Sequence, residues 1–303
     1  MSRFINPFTD VGFKRIFGQS VNKEILISFL NALLEGERHI TDLEFLDKER
    51  VPEIASHRGL IYDIYCSTDK GEHIIVEMQN RQQVNFSDRA LLYAAADIAW
   101  QAQRGGNWDY KLTPVYGIYF MNFRFKESED GGRNLLNTSD FDKLRTDVGL
   151  SDMETGKLFS DKLRMIFLQL PKIDLREEDC DTDFKKWLYV LKNMQTFDRM
   201  PFAAQKAVFD RLGSIAEIAA MPEKERHAYE ESLRIYRDNL AIAKHEYRTG
   251  LAEGEARGEA RGRKETEAEI FAENVMRMRS LGYDDRTISV CLNQPLDRVV
   301  SIR

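Results

Sequence analysis

Two acidic residues stand out from apolar surroundings. The stretch IIVEMQNRQQ, residues 74–83, enters as a β-strand with Ile74, Ile75 and Val76, then presents Glu77 and Gln79 and turns polar. A carboxylate among β-branched hydrophobes is costly to bury unless something pairs with it. The preceding segment LIYDIYCSTDKGEH supplies a partner. If the turn is Asp69-Lys70-Gly71, Gly71 falls where a three-residue hairpin loop wants a left-handed residue, and Asp63 then stands opposite Glu77. Directly opposed side chains have Cβ atoms about 4.5–5.5 Å apart, where like charges repel. On that face Ile61, Tyr65 and Ile75 are mostly apolar. The other face (Leu60, Tyr62, Ile64, Ile74, Val76, Met78) is apolar too, so the hairpin reads as the middle of a covered sheet. Two carboxylates held together there share a proton or bind a cation. A hard divalent ion such as Mg²⁺ accepts one or two carboxylates plus waters. The backbone carbonyl of Met78 could add an oxygen ligand. Gln79, of the same strand parity as Glu77, would emerge beside the ion to orient a water or a phosphate. A stray acid on an exposed strand edge is the competing reading.

The elements that must position this pair follow from hydrophobic spacing. SVNKEILISFLNALLE (residues 20–35) has helical periodicity, with Ser20 or Asn22 as N-cap and Gly36 as stop. Residues 40–51 read as an edge strand, and 60–67 and 73–79 as the hairpin strands. Residues 87–104 read as a helix stopped by Gly105–Gly106. Further strands are expected at 113–123 and 163–170, joined by a polar, irregular loop. Beyond residue 183 the pattern is helical. Near the end, RTGLAEGEARGEARGRKE spaces Gly250, Gly254, Gly258 and Gly262 so that they share one helix face. That strip suits close helix–helix approach in an oligomer, or else marks a solvated linker. The last residues read as helix, turn, helix, turn and short helix, a spacing compatible with a helix-turn-helix. The expected organisation is a core over 1–182, a helical extension over 183–249, a glycine-repeat linker over 250–268 and a small helical tail over 269–303.

Composition narrows the class. The chain has 303 residues, 43% hydrophobic content and a net charge of −6, an ordinary globular profile. That charge argues against wholesale coating of nucleic acid but leaves local basic patches open. The three cysteines Cys66, Cys180 and Cys291 are scattered, which favours a reducing compartment over a disulfide framework or a zinc site. No apolar run of about 18 residues occurs, and the first residues lack a secretory apolar stretch, so a cytoplasmic protein without membrane spans is expected.

The residues also carry a family resemblance. Asp63-x13-Glu77-x-Gln79 on a hairpin resembles the PD-(D/E)XK nuclease core. NPFTDVGFKRIFG, YDIYCSTDKGEHIIVEMQ, FSDRALLYAA and GEARGEARGRKE, in that order, resemble the PD-(D/E)XK nuclease family transposases, grouped with recombination-promoting nucleases. The resemblance covers nearly the whole chain and is strongest over residues 5–125. It implies an α/β fold with a restriction-endonuclease-like core: a mixed central sheet flanked by helices, followed by a helical C-terminal region. It implies metal-dependent hydrolysis of DNA phosphodiester bonds, with Asp63 and Glu77 as ligands of Mg²⁺ or Mn²⁺. Gln79 then stands where the family's usual lysine would approach the scissile phosphate. Glu24 matches an acidic helix position that often completes such sites, and a solvated helix residue is its alternative. Asp10 and Lys14 match the family's N-terminal motif, as catalytic or DNA-facing groups or as an N-cap and a surface lysine. Arg89 and Tyr93 share a helix face; Arg89 could bind phosphate bidentately or form a structural ion pair.

Gln79 is the departure that matters, because lysine brings a positive charge and an amide can only orient a water. More weight would fall on the metal, Lys14 or Arg89. DNA would be gripped through its backbone by Phe13-Lys14-Arg15, Arg81, Arg89 and Arg104 without base readout. The rival readings are a nuclease-like DNA-binding module that no longer cuts, and an oligomeric scaffold acting through the C-terminal helices. A cysteine or serine hydrolase has little support. Cys66 sits on a buried-looking strand, and no His, including His57 and His73 beside the hairpin, stands in a recognisable partner motif. The repeat glycines follow a helix without a Lys-Ser/Thr pair, which argues against a P-loop.

Overall fold

A computed structural model describes residues 2–50, 60–81, 83, 85–102, 109–124 and 143–302. The chain opens with helices α1 (Asp10–Phe17) and α2 (Lys23–Leu33), followed by strands β1 (Leu43–Phe45), β2 (Glu49–Arg50), β3 (Leu60–Ile61), β4 (Ile64–Thr68) and β5 (His73–Gln79). Helix α3 (Phe86–Trp100) leads into β6 (Val115–Met121), β7 (Arg145–Ser151) and β8 (Leu158–Gln169). Helices α4 (Asp183–Asn193), α5 (Ala207–Ala216), α6 (Glu223–Ser280), α7 (Asp285–Cys291) and α8 (Leu296–Ser301) complete it. The result is the expected α/β core with a helical C-terminal region.

Six strands form one mixed sheet in the order β1-β4-β5-β6-β8-β7. β5 is antiparallel to β4 and parallel to β6. The β4–β5 register pairs Ile64 with Val76 and Cys66 with Ile74, as the Gly71 turn requires; Gly71 has φ +77°, a conformation glycine adopts without strain. Alternation along the strands sorts side chains to two faces. Ile64, Cys66, Ile74, Val76, Ile118 and Phe120 face a core with α1, α2, α4 and α5. Tyr65, Ile75 and Tyr119 lie in the apolar clusters on the α3 face. β5, central and covered on both sides, therefore carries its acid into low dielectric.

The N-terminal motif is a built turn. Asn6 accepts the Phe8 N–H through Oδ1 at 2.8 Å, and Thr9 caps α1 by accepting the Gly12 N–H at 3.0 Å. A Cβ at Gly12 would lie 2.1 Å from the Asn6 carbonyl oxygen, so only glycine permits this approach. Phe13 and Phe17 then seat α1 against Phe120 at ring-centroid separations of 5.5 and 6.0 Å.

Several expected boundaries move. The single strand expected over 60–67 breaks at Tyr62–Asp63. Tyr62 consequently joins Tyr65 and Ile75 on the α3 face rather than the opposite one, while Ile61 is exposed. The 40–51 strand divides into β1, at the sheet edge, and β2, which pairs with β3. The expected irregular loop contains β7, which extends the sheet beyond β8; its polar, half-exposed pattern hides it from a periodicity reading. Residues 125–142 of that loop, and Gly105–Gly106, lie outside the described residues. Ser20–Asn22 forms a short 3₁₀ turn before α2, and Asn22 makes no side-chain cap.

Two compact units comprise residues 1–240 and 241–303. In the first, Trp187, Leu191, Phe209, Leu212 and Tyr229 join the main core. In the second, Val275, Ile288 and Val299 form a small core, and Arg279 binds the Asp285 carboxylate and the Val299 and Ile302 carbonyls. The repeat glycines lie within one continuous helix, with nothing within 4 Å of an added Cβ. Among the described residues no helix is long and apolar enough to cross a membrane.

A buried polar knot ties α3 to the hairpin. Asp97, 1% exposed, accepts the Tyr65 hydroxyl at 2.6 Å and lies 2.7 Å from His73 Nδ1. Replacing Asp97 by Ala removes the shared acceptor of Tyr65 and of half-buried His73, which stay 3.0 Å from each other. It should lower the unfolding free energy by about 1–3 kcal/mol, measured by urea denaturation.

Candidate active site

The acid pair sits where β4 leaves β5. Above Ile64 the backbone ladder stops, and side chains replace it. The Asp63 N–H donates to Glu77 Oε1 at 3.1 Å, and the Met78 N–H donates to Asp63 Oδ2 at 2.9 Å. Each carboxylate is thus held by the other strand's backbone. In an antiparallel ladder a residue's N–H and C=O point to the same side, so the Met78 carbonyl shares the edge that Asp63 occupies. The Gln79 amide donates to Glu77 Oε2 at 3.3 Å, fixing Glu77 from below.

Burial governs the electrostatics. Glu77 is 5% exposed. Desolvation, then the neighbouring Asp63 charge, push its carboxyl from the ordinary 4.5 up to about 8, against the pull of the Asp63 N–H and the Arg89 and Gln79 side chains. Asp63 is also raised by burial, with the Met78 N–H, Lys14 and Arg89 opposing and Asp10 adding to the rise. Two adjacent, desolvated carboxylates resist full ionisation without a counter-charge.

The other expected residues divide into those near the pair and those elsewhere. Asp10 and Lys14 are ion-paired at 2.6 Å on α1, and both act on Asp63. Arg89 acts on both acids. Its guanidinium donates to Gln83 at 2.8 Å and lies 5.9 Å from the Tyr93 ring centre, so among the described residues its partners are an amide and a ring. Tyr93 packs edge-on against Tyr62 at 5.5 Å. Glu24 is turned elsewhere. It pairs with Arg211 at 3.5 Å and lines a separate 620 Å³ groove with His39 and Asp183. Of the two helix acids expected at the site, Asp10 on α1 bears on Asp63, while Glu24 on α2 pairs with Arg211. Of Phe13-Lys14-Arg15, only Lys14 faces outward: Phe13 is core, and Arg15 binds Glu225 and the Ile215 carbonyl. His73 belongs to the Asp97 knot; His57 and Arg104 lie outside the described residues.

Sequence reading missed Asn80, which ends the acid strand and donates from Nδ2 to the Phe8 carbonyl at 2.7 Å. Its position within the polar run NRQQ gave no sign of this contact, which spans the distance from β5 to the turn before α1.

No third His, Cys, Asp or Glu completes a metal cluster among the described residues. The oxygens that could serve a cation here are those of Asp63, Glu77 and the Met78 carbonyl, an all-oxygen set. It suits a hard cation that keeps waters or substrate oxygens in its remaining positions. Two adjacent acids, one buried and one half-buried, that resist joint ionisation are also the arrangement that a divalent charge would relieve.

A mixed sheet flanked by helices, with opposed acids where two central strands diverge, defines a nuclease-type α/β fold. The chain belongs to the PD-(D/E)XK nuclease family transposases, whose family model matches residues 7–246. No curated protein and no solved structure matches it.

The raised acids predict a pH signature. Between the ordinary 4.5 and about 8, folded Glu77 holds a proton that the unfolded chain has released, so stability falls as pH rises through this window. In EDTA the wild-type Tm should drop from pH 5 to pH 8. Glu77→Gln should flatten that slope and exceed wild type at pH 8, as read by thermal unfolding across pH.

Proposed function

We propose that the chain is a divalent-metal-dependent DNA endonuclease that hydrolyses phosphodiester bonds. The observation that carries this reading is the Asp63–Glu77 pair where β4 leaves β5, with Glu77 buried, Asp63 half-buried and each carboxylate held by the other segment's backbone. The family match supports it. Asp63, Glu77 and the Met78 carbonyl would hold Mg²⁺ or Mn²⁺. Such an ion polarises a phosphate and lowers the pKa of a bound water.

The chain's own residues supply the rest. Gln79, with its amide donating to Glu77, keeps its carbonyl for the attacking water and orients it in line with the phosphorus. Lys14 and Arg89 contribute the positive field that a lysine at position 79 would have given, aimed at charge developing on the phosphate. By family analogy the 3′-oxygen leaves, giving a 5′-phosphate and a 3′-hydroxyl. DNA is engaged through its phosphates, which positions the duplex without selecting sequence. The free thiols of Cys66, Cys180 and Cys291 fit work in a reducing cytoplasm. A second copy of the chain would pair along the open glycine strip of α6.

Purified protein with Mg²⁺ or Mn²⁺ should nick or linearise plasmid DNA, and EDTA should stop it. Glu77→Ala and Asp63→Ala should reduce cutting to background. Gln79→Ala, which removes a partner of a metal-binding carboxylate, should cost about 10–100-fold. An intact wild-type fold that never cuts at high enzyme concentration would leave a DNA-binding or scaffold role instead.

A further inference from the structure

Asn80, immediately after the acid strand, ties that strand to the turn preceding α1. Its Nδ2 donates to the Phe8 carbonyl across a sequence separation of 72 residues. Phe8 is held in turn by Asn6, and Thr9, the next residue, caps α1. Asp10 begins the helix and Lys14 follows one turn later, paired with it. The buried half of α1 is fixed by Phe13, Ile16 and Phe17 in the core. The start of the outward half, which carries Asp10 and Lys14, depends on the polar contacts of the turn.

The other half of the Asn80 amide faces a cavity of about 260 Å³ lined by Thr9, Asp10, Ser232 and Tyr236, polar and roomy enough for water to serve its Oδ1. The protein contact that Asn80 makes is therefore the one from its Nδ2 to the Phe8 carbonyl.

We infer that Asn80 is a positioning residue: its bond to the Phe8 carbonyl fixes the start of α1 against the acid strand and so sets the placement of Lys14 relative to Asp63. This inference rests on the nuclease reading. Asn80 does not ligate the metal, and it acts on turnover through Lys14.

The test is a double-mutant cycle on plasmid cleavage with Mn²⁺. Asn80→Ala removes the donor. Asn80→Asp keeps the shape but presents a carboxylate to the Phe8 carbonyl, and it reports on the donor even if the alanine variant folds poorly. Cooperative thermal unfolding checks both folds. Each variant should lose about 10–100-fold in kcat, with KM for DNA and the Mn²⁺ midpoint within about twofold of wild type. In a Lys14→Ala background the same substitutions should cost less than about twofold more, because residues that act as one unit are not additive. Full, multiplicative losses in that background would overturn the inference, as would a shifted Mn²⁺ midpoint or unchanged kcat. A folded wild-type protein that does not cleave would instead remove the nuclease reading itself, a result the cycle cannot mimic.

Discussion

Mutual repulsion between Asp63 and Glu77 is the constraint around which the first unit is arranged. Like charges facing each other across a covered hairpin destabilise a fold, and the structure surrounds this pair with partial compensation. Two backbone N–H groups, one from each strand, donate into the carboxylates. Arg89 from α3 and Lys14 from α1 lend positive potential, while the Gln79 amide steadies Glu77. These contacts leave Glu77 raised to about 8, so the compensation is incomplete. An incoming positive charge would relieve such a deficit.

The architecture explains how a small strand break serves this purpose. β5 must be central to be desolvated, and a continuous β4 would satisfy its backbone completely. The break at Tyr62–Asp63 ends β4 one residue short of Glu77, which frees the Met78 edge and turns Asp63 across it. The same break swings Tyr62 under α3, where it packs on Tyr65 and Tyr93. The buried Asp97–Tyr65–His73 knot then holds α3 and its Arg89 against the hairpin. On the opposite face, Gly12 allows the N-terminal turn to close tightly and deliver Lys14. Two helices on opposite faces of the sheet thereby each carry a cation whose charge bears on Asp63.

The hairpin was the most legible part of the sequence, because turn chemistry and parity fix register locally: Gly71 and the alternation of residues 73–79 set Ile64 against Val76, and Asp63 meets Glu77 just beyond the end of that ladder through its N–H. Helices with wide apolar stripes, such as α2, were equally readable. The break at Tyr62–Asp63 was not, since LIYDIYCS has uninterrupted strand propensity and the departure is driven by contacts of Tyr62 with α3. β7 escaped because an edge strand of mixed polarity has no period to detect. Glu24 illustrates a further limit: a helix carboxylate carries no sign of which neighbour it will meet, and Arg211 lies far away in sequence. Asn80 was silent for the same reason, its role residing in one contact with a distant backbone oxygen.

The central claim is that the opposed acids hold a proton until a divalent cation displaces it. Calorimetric titration of the metal-free protein with Mn²⁺ at pH 7, repeated in buffers of different ionisation enthalpy, counts the protons released. With Glu77 raised to about 8, binding should release close to one proton per ion at pH 7 and almost none at pH 9. Glu77→Gln should abolish both the binding and the release. Binding at pH 7 with no proton release, or binding that survives in Glu77→Gln, would contradict the claim.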